Sequence, residues 1–185
     1  MLKSMTCPTG ATSQSESSWI KDLALIVVGS ILIALCFPLS IKLPFTPVSI
    51  VLGHHVCLIL GIILGKKRGA LTVLTYLFQG AIGLPVFALG NAGIAYLLGP
   101  KGGYYFGFVA AAYVTGYLFE KMKDKTSYKT FWALAAGNGV IYLFGILQLS
   151  FFIGLKSALL LGMVPFLLID AWKLLLISKG IRRLG

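Results

Sequence analysis

The sequence predicts an all-α integral membrane protein: a bundle of six transmembrane helices with a Gly/Pro-rich outer loop between helices 3 and 4. Three observations predict it. Of the 185 residues, 58% are hydrophobic and only 11% charged, where soluble domains carry about 25% charge. Mean hydropathy is +0.92. The apolar runs recur at lengths near the ~20 residues that one bilayer crossing needs, and Lys and Arg collect in the joints between them.

The net charge of +11 does not point to nucleic acid, because the basic residues sit at the ends of hydrophobic runs with no soluble domain to carry them. The three cysteines (Cys7, Cys36 and Cys57) form no CxxC or Cys/His ligand spacing, which excludes a disulfide scaffold or a zinc finger. Cys36 and Cys57 read as small buried hydrophobes.

Residues 1–18 are rich in Ser and Thr and have no apolar core of their own, so they are expected to form a disordered cytoplasmic tail and not a cleaved signal peptide. Residues 19–185 form the membrane domain. The first span runs from Trp19 or Ile20 to Pro38. Ser30 and Ala34 make a small-xxx-small pair on it, suited to close approach of another helix, either within the chain or from a partner. Pro38 to Pro47 is an extended connection fixed by its prolines. The second span covers Val48 to Leu64 and ends at Gly65-Lys66-Lys67-Arg68-Gly69. His54 and His55 lie in it. Adjacent residues on a helix diverge by about 100°, so the pair is expected to serve packing or a hydrogen bond, with no metal.

The third span, Ala70 to Ile82, breaks at Gly83-Leu84-Pro85. Residues 83–103 hold six glycines and two prolines, yet remain apolar. Irregular backbone at membrane depth is tolerated only where it is buried in protein or lines a cavity, and glycine-interrupted segments are a pointer to a transport site. Asn91 is the one amide side chain in this stretch, able both to donate and to accept. Gly99-Pro100-Lys101-Gly102-Gly103 lacks the Gly-Lys-Ser/Thr ending of a P-loop, so no ATP site is expected. The fourth span, Tyr104 to Phe119, presents the small residues Gly107, Ala110, Ala111, Ala112 and Gly116. Glu120 to Lys129 is a polar loop. The fifth span, Phe131 to Phe152, carries Asn138 and Tyr142, polar groups that either face a cavity or bond between helices.

The last apolar segment holds the most informative pair. Asp170 and Lys173 stand three residues apart and share one helical face. A charge at the bilayer centre costs about 2.5–3.5 kcal/mol on insertion scales, so such residues face a cavity or a partner. Pro165 either kinks a helix begun near Ser157 or opens a new helix in its favoured first turn. The second reading is preferred, since it places Asp170 within about 8 Å of the helix start. Of the 16 basic residues, twelve fall at the termini and after spans two and four, three (Lys42, Lys101 and Lys156) fall on the opposite side, and Lys173 lies within the membrane. Both termini are therefore expected in the cytoplasm, with the chain a multi-pass protein of the cytoplasmic membrane.

Several stretches together resemble one family. They are Pro44-Phe45-Thr46-Pro47-Val48, Gly80-Ala81-Ile82-Gly83-Leu84-Pro85-Val86-Phe87-Ala88, Leu98-Gly99-Pro100 with Gly102-Gly103-Tyr104, Val140-Ile141-Tyr142 with Gly145, and Pro165-Phe166-Leu167 followed by Asp170 and Lys173. In order and spacing they are similar to BioY, the biotin-binding S component of energy-coupling factor (ECF) transporters, over about residues 20–180. The resemblance implies six helices, capture of biotin from outside, and pairing with a transmembrane T subunit and two ATPases that supply any ATP hydrolysis. The chain itself would need no cofactor. It also implies that Asn91, Asp170 and Lys173 contact biotin, and that Ser30 and Ala34 face the T subunit. Phe45, Phe87, Tyr104 and Tyr142 are candidate wall residues. Three departures stand out: Val51-Leu52-Gly53-His54 replaces the common Thr-Leu-Gln-Thr run, Leu168-Ile169 replaces the Pro-Gly often found just before the last-helix Asp, and Gln148 replaces a common aromatic. Two other readings of the Asp170/Lys173 pair are an intramembrane acid–base enzyme and a buried ion pair that locks the bundle. No nucleophile or metal constellation accompanies the pair to favour the enzyme.

Overall fold

A computed structural model of the chain describes residues 12–38, 40–41, 50–51, 53–124 and 126–184. Helix α1 spans Thr12–Cys36, α2 Gly53–Ala81, α3 Ile94–Leu98, α4 Gly102–Lys121, α5 Ser127–Ile153, α6 Leu155–Gly162 and α7 Val164–Leu184. Helix α1 thus begins inside the stretch expected to be tail; residues 1–11 lie outside the described residues. The all-α expectation needs one small amendment. Two-residue strands β1 (Ser40–Ile41) and β2 (Ile50–Val51) pair antiparallel, Ser40 with Val51 and Ile41 with Ile50, ahead of α2. The Pro44–Pro47 motif lies outside the described residues.

The outer surface is apolar, as contact with hydrocarbon requires. Trp19, Val28, Leu35, Phe78, Phe151, Leu168 and Trp172 are among many large exposed hydrophobics, far more than a water-facing surface tolerates. Among the described residues, three stretches are long and apolar enough to cross a membrane: Trp19–Cys36, Ser127–Ile153 and Leu155–Ile181.

Helix α2 is two helical arms folded back on each other. At Gly65 the backbone takes φ 81°, ψ 168°, a region essentially reserved for glycine. A Cβ built on Gly69 would stand 2.7 Å from the Cα of Gly61, whereas residues eight apart on a straight helix are about 12 Å apart. The two arms, 53–64 and 66–81, overlap the stretches read from the sequence as the second and third spans, Val48–Leu64 and Ala70–Ile82. The returning arm starts under a borrowed cap: the Lys66 backbone N–H donates to Glu120 Oε1 at 2.9 Å, and the Lys66 ammonium pairs with Glu120 Oε2 at 3.0 Å. A carboxylate there satisfies an otherwise orphaned first-turn donor.

The small-residue face of α4 works as the sequence suggests. A Cβ on Gly116 would meet the Gly61 carbonyl at 2.5 Å and Lys66 Cα at 2.8 Å, and one on Gly107 would meet Ile141 Cα at 3.1 Å. Helix α4 is thereby wedged between α2 and α5 at backbone contact. Helix α1 packs on the returning arm of α2, where Gln79 Nε2 donates to Ser30 Oγ at 3.0 Å. Ser30 is fully buried and therefore takes the within-chain reading, while Ala34 borders a groove with Ile31, Leu35, Gln79 and Pro85. Gly154, at φ 79°, ends α5 and lets α6 turn away; α7 starts at Val164 with Pro165 in its first turn.

These contacts are open to test by substitution. Gly116→Val is expected to lower unfolding free energy in detergent by about 1–3 kcal/mol, read by thermal or denaturant melts. Gly139→Ala, whose Cβ would meet nothing within 4 Å, is expected to leave stability unchanged or slightly raised. Acid gives a second handle. The Lys66 backbone N–H and side chain hold the Glu120 carboxyl below its ordinary 4.5. Its contribution is present above that value and lost as pH falls through the folded-state value. Glu120→Gln should therefore melt lower than wild type at neutral pH, and the difference should shrink on acidification.

Candidate functional site

The elements above converge on one cavity. Its walls are Phe37 after α1, His54 at the start of α2, Ala88 from the irregular loop, Tyr96 on α3, Lys101, Tyr104, Tyr105 and Phe108 around the start of α4, Asn138, Ile141 and Tyr142 on α5, Gly162, and Phe166 and Asp170 on α7. About 630 Å³ of empty space lies among these residues, open solvent at the mouth included.

The glycine-rich loop is well built. Phe87 is fully buried, and its ring sits where a Cβ on Gly80 would otherwise be. It packs edge-on against Tyr76 and Tyr105, with centroids 5.9 and 4.8 Å away, and stacks on Tyr96 at 5.5 Å. Hydroxyls complete the fit: Tyr76 donates to the Val86 carbonyl at 3.1 Å, and the Ala88 N–H donates to the Tyr105 hydroxyl at 3.0 Å. Gln148 donates to the Leu97 and Gly99 carbonyls at 3.2 and 2.7 Å. A polar residue at that position thereby closes the exposed end of α3, which an aromatic ring could not do. Tyr104 lies against Gly145, where a Cβ would clash with its ring, and donates to the Gly162 carbonyl at 3.0 Å. So Gly80 and Gly145 are small because aromatic rings need their space.

Asp170 lies at the cavity's inner end and is only 5% exposed. The Tyr142 hydroxyl donates to its Oδ2 at 2.5 Å, and Asn138 Nδ2 reaches the same oxygen at 3.5 Å. Asn138 and Tyr142 share one face of α5 because they are four residues apart. The first of these bonds has the short length of a charge-assisted O–H···O⁻ contact. The other oxygen, Oδ1, faces His54 Nε2 at 3.5 Å and His55 Nε2 at 3.7 Å.

Several expectations change here. His54 and His55 do not diverge: their ring centroids are 3.9 Å apart. The 100° rule governs Cα–Cβ directions, and an imidazole swings on two further torsions, so adjacent rings can reach one point. Asp170 and Lys173 form no ion pair among the described residues. The carboxylate is drawn toward α5 and α2, and Lys173 Nζ is buried without a hydrogen-bond partner among the described residues. Asn91 is exposed and donates to the Ala88 carbonyl at 2.7 Å; it stands behind a wall residue and does not itself line the cavity. Of the candidate wall aromatics, Tyr104 and Tyr142 line it and Phe87 backs it, while Phe45 lies outside the described residues. Phe37, Tyr105, Phe108 and Lys101 are wall residues that periodicity does not single out. Charge counting marks Lys101 only as an outer-side cation, although its place between glycines at the head of α4 is a usable signal.

Comparison with known proteins decides the family. Residues 8–184 match the family described as BioY family. The chain belongs to it. The Thermotoga maritima protein "Biotin transporter BioY" is 42% identical over 155 residues, which is 82% of this chain and 83% of that one. "Probable biotin transporter BioY" of Rickettsia prowazekii is 34% identical over 164 residues, 89% and 83% of the two chains. The crystal structure of the S-component for biotin from an ECF-type ABC transporter superposes with TM-score 0.78 at 28% identity, covering 91% of this chain and 94% of that one. These relatives are named as transporters, and none is named as an enzyme.

The Tyr142–Asp170 bond makes a direct forecast. Tyr142→Phe removes the donor but keeps the ring, so unfolding free energy should drop by about 1.5–3 kcal/mol, the range for a hydrogen bond to a charged group. Asp170→Asn restores part of that loss in the double variant, read by a double-mutant melt series.

Proposed function

We propose that this chain is the biotin-binding S component of a vitamin-uptake transporter. Six membrane crossings are formed by α1, the two arms of α2, α4, α5 and α7, both termini face the cytoplasm, and biotin enters from the outer side. An ECF T subunit and ATPase subunits then drive delivery inward, with Ala34 and the exposed residues beside it on α1 as the docking face. The observation that carries this reading is a buried carboxylate, held by Tyr142 on one oxygen and turned by the other toward an aromatic cavity, in a chain whose relatives are biotin transporters.

The chemistry of biotin fits what the cavity offers. The ureido ring presents two N–H donors and one carbonyl; the thiophane ring and valeryl chain are apolar; the tail ends in a carboxylate. Asp170 Oδ1 accepts a ureido N–H. Lys173 does not line the cavity, but its buried ammonium is without an acceptor among the described residues; turned inward it donates to the ureido carbonyl, and an acceptor there removes the cost of an unpaired buried charge. Tyr104, Tyr105, Phe108 and Phe37 enclose the apolar rings. Lys101, at the head of α4, is placed to meet the tail carboxylate. Asn91 contacts the vitamin by exchanging its bond to the Ala88 carbonyl for one to the ligand.

Radiolabelled biotin binding to purified protein tests the reading. Wild type should retain biotin, Asp170→Asn and Lys173→Met should each weaken retention by about 10–150-fold, the equivalent of one hydrogen bond to a charged group, and Asn91→Ala by about 2–10-fold, the equivalent of a neutral one, while all three elute as folded protein. Retention by Asp170→Asn equal to wild type would refute it.

A further inference from the structure

The geometry points to a binding site for one divalent first-row transition-metal ion, such as Zn²⁺, formed by His54 Nε2, His55 Nε2 and Asp170 Oδ1 at the inner end of the cavity. Three ligand atoms, two imidazole nitrogens and one carboxylate oxygen, lie within 4.8 Å of one another. Their separations from the carboxylate, 3.5 and 3.7 Å, are long for hydrogen bonds, whose N···O distances run about 2.7–3.2 Å. They approach the ~3.3–3.5 Å edge of a tetrahedron around Zn²⁺ with metal–ligand bonds near 2.0–2.1 Å. The remaining edge, between the two imidazoles, reaches up to 4.8 Å, so both rings must swing together by about 1 Å to close the site.

The burial of His55 is an independent observation. It is 5% exposed, and both its ring nitrogens are without a hydrogen-bond partner among the described residues. A buried imidazole with no partner is costly, and a metal on Nε2 is a natural remedy. The carboxylate is prepared as well: Tyr142 and Asn138 engage Oδ2, which leaves Oδ1 for ligation and fixes its direction as outer-shell bonds do at metal sites. Two imidazoles and one carboxylate suit Zn²⁺, Co²⁺ or Fe²⁺, whereas Mg²⁺ and Ca²⁺ prefer all-oxygen ligands. His54 lines the cavity, so the remaining coordination position faces it. A metal on Oδ1 occupies the oxygen proposed above for the ureido group, and ion and vitamin should therefore compete. The metal site itself does not depend on that reading.

The test uses the full-length, tag-free protein in detergent, stripped with a chelator and titrated with Co²⁺, whose visible absorption reports tetrahedral nitrogen and oxygen ligation. One Co²⁺ per chain is expected, displaced by Zn²⁺ but not by Mg²⁺ or Ca²⁺. His54→Ala and His55→Gln should each weaken binding at least tenfold, with folding checked by elution and melting. Should His55→Gln not fold, His54→Ala carries the comparison, since that ring sits at the cavity edge. A wild type that binds no Co²⁺, or a His54→Ala protein that binds it as tightly as wild type, overturns the proposal. The cobalt spectrum is read without biotin, so its failure leaves the vitamin reading untouched.

Discussion

A carboxylate has been taken out of water in the middle of an apolar bundle, and much of the structure near it can be understood as what that requires. Asp170 sits on α7 with almost no exposure. Moving such a group to low dielectric is tolerated only with strong hydrogen bonds around it. The Tyr142 hydroxyl at 2.5 Å supplies the strongest. That bond ties α7 to α5, and the placement of both helices depends on further unlike parts: Gly145 receives the Tyr104 ring, Tyr104 pins the end of α6 through the Gly162 carbonyl, and the α6–α7 break then sets how deep Asp170 lies.

The second constraint is steric. Close helix approach in hydrocarbon depends on van der Waals contact, since burying apolar side chains from lipid brings no hydrophobic gain. The glycines of α2 and α4 meet backbone to backbone, and the fold-back at Gly65 depends on a conformation that side chains disfavour. This rigid half of the molecule supports the aromatic group of Phe37, Tyr76, Phe87, Tyr105 and Phe108. That group in turn shapes an apolar cavity that His54, Lys101, Asn138 and Asp170 also line.

Much of this is legible in the sequence because membrane chains write their constraints plainly. Apolar runs mark the spans, Gly65 marks the joint between two of them, and Pro165 marks the start of α7. An acid inside an apolar helix marks the site. What stays hidden depends on side-chain direction. Residue spacing puts Asp170 and Lys173 on one face, but Tyr142 and Asn138 draw the carboxylate sideways, and no ion pair with Lys173 forms among the described residues. Spacing likewise sets His54 against His55, while rotation about their side-chain bonds brings both rings to the same oxygen. Asn91 shows the same limit from the other direction: its loop reaches the cavity through Ala88, and its own amide is occupied at the mouth. The short β1–β2 pairing is illegible for a different reason, since two residues per strand are too few for an alternating pattern to register.

Asp170 is kept charged and buried, on this view, so that a ureido guest can complete its bonding. A structure of the protein determined with biotin bound tests that most directly. The expected result is a ureido nitrogen within about 3.2 Å of Asp170 Oδ1, the ureido carbonyl on Lys173 Nζ, and the rings packed against Tyr104 and Phe108. Biotin lodged elsewhere, or seated in the cavity with its ureido group turned away from Asp170, would contradict it.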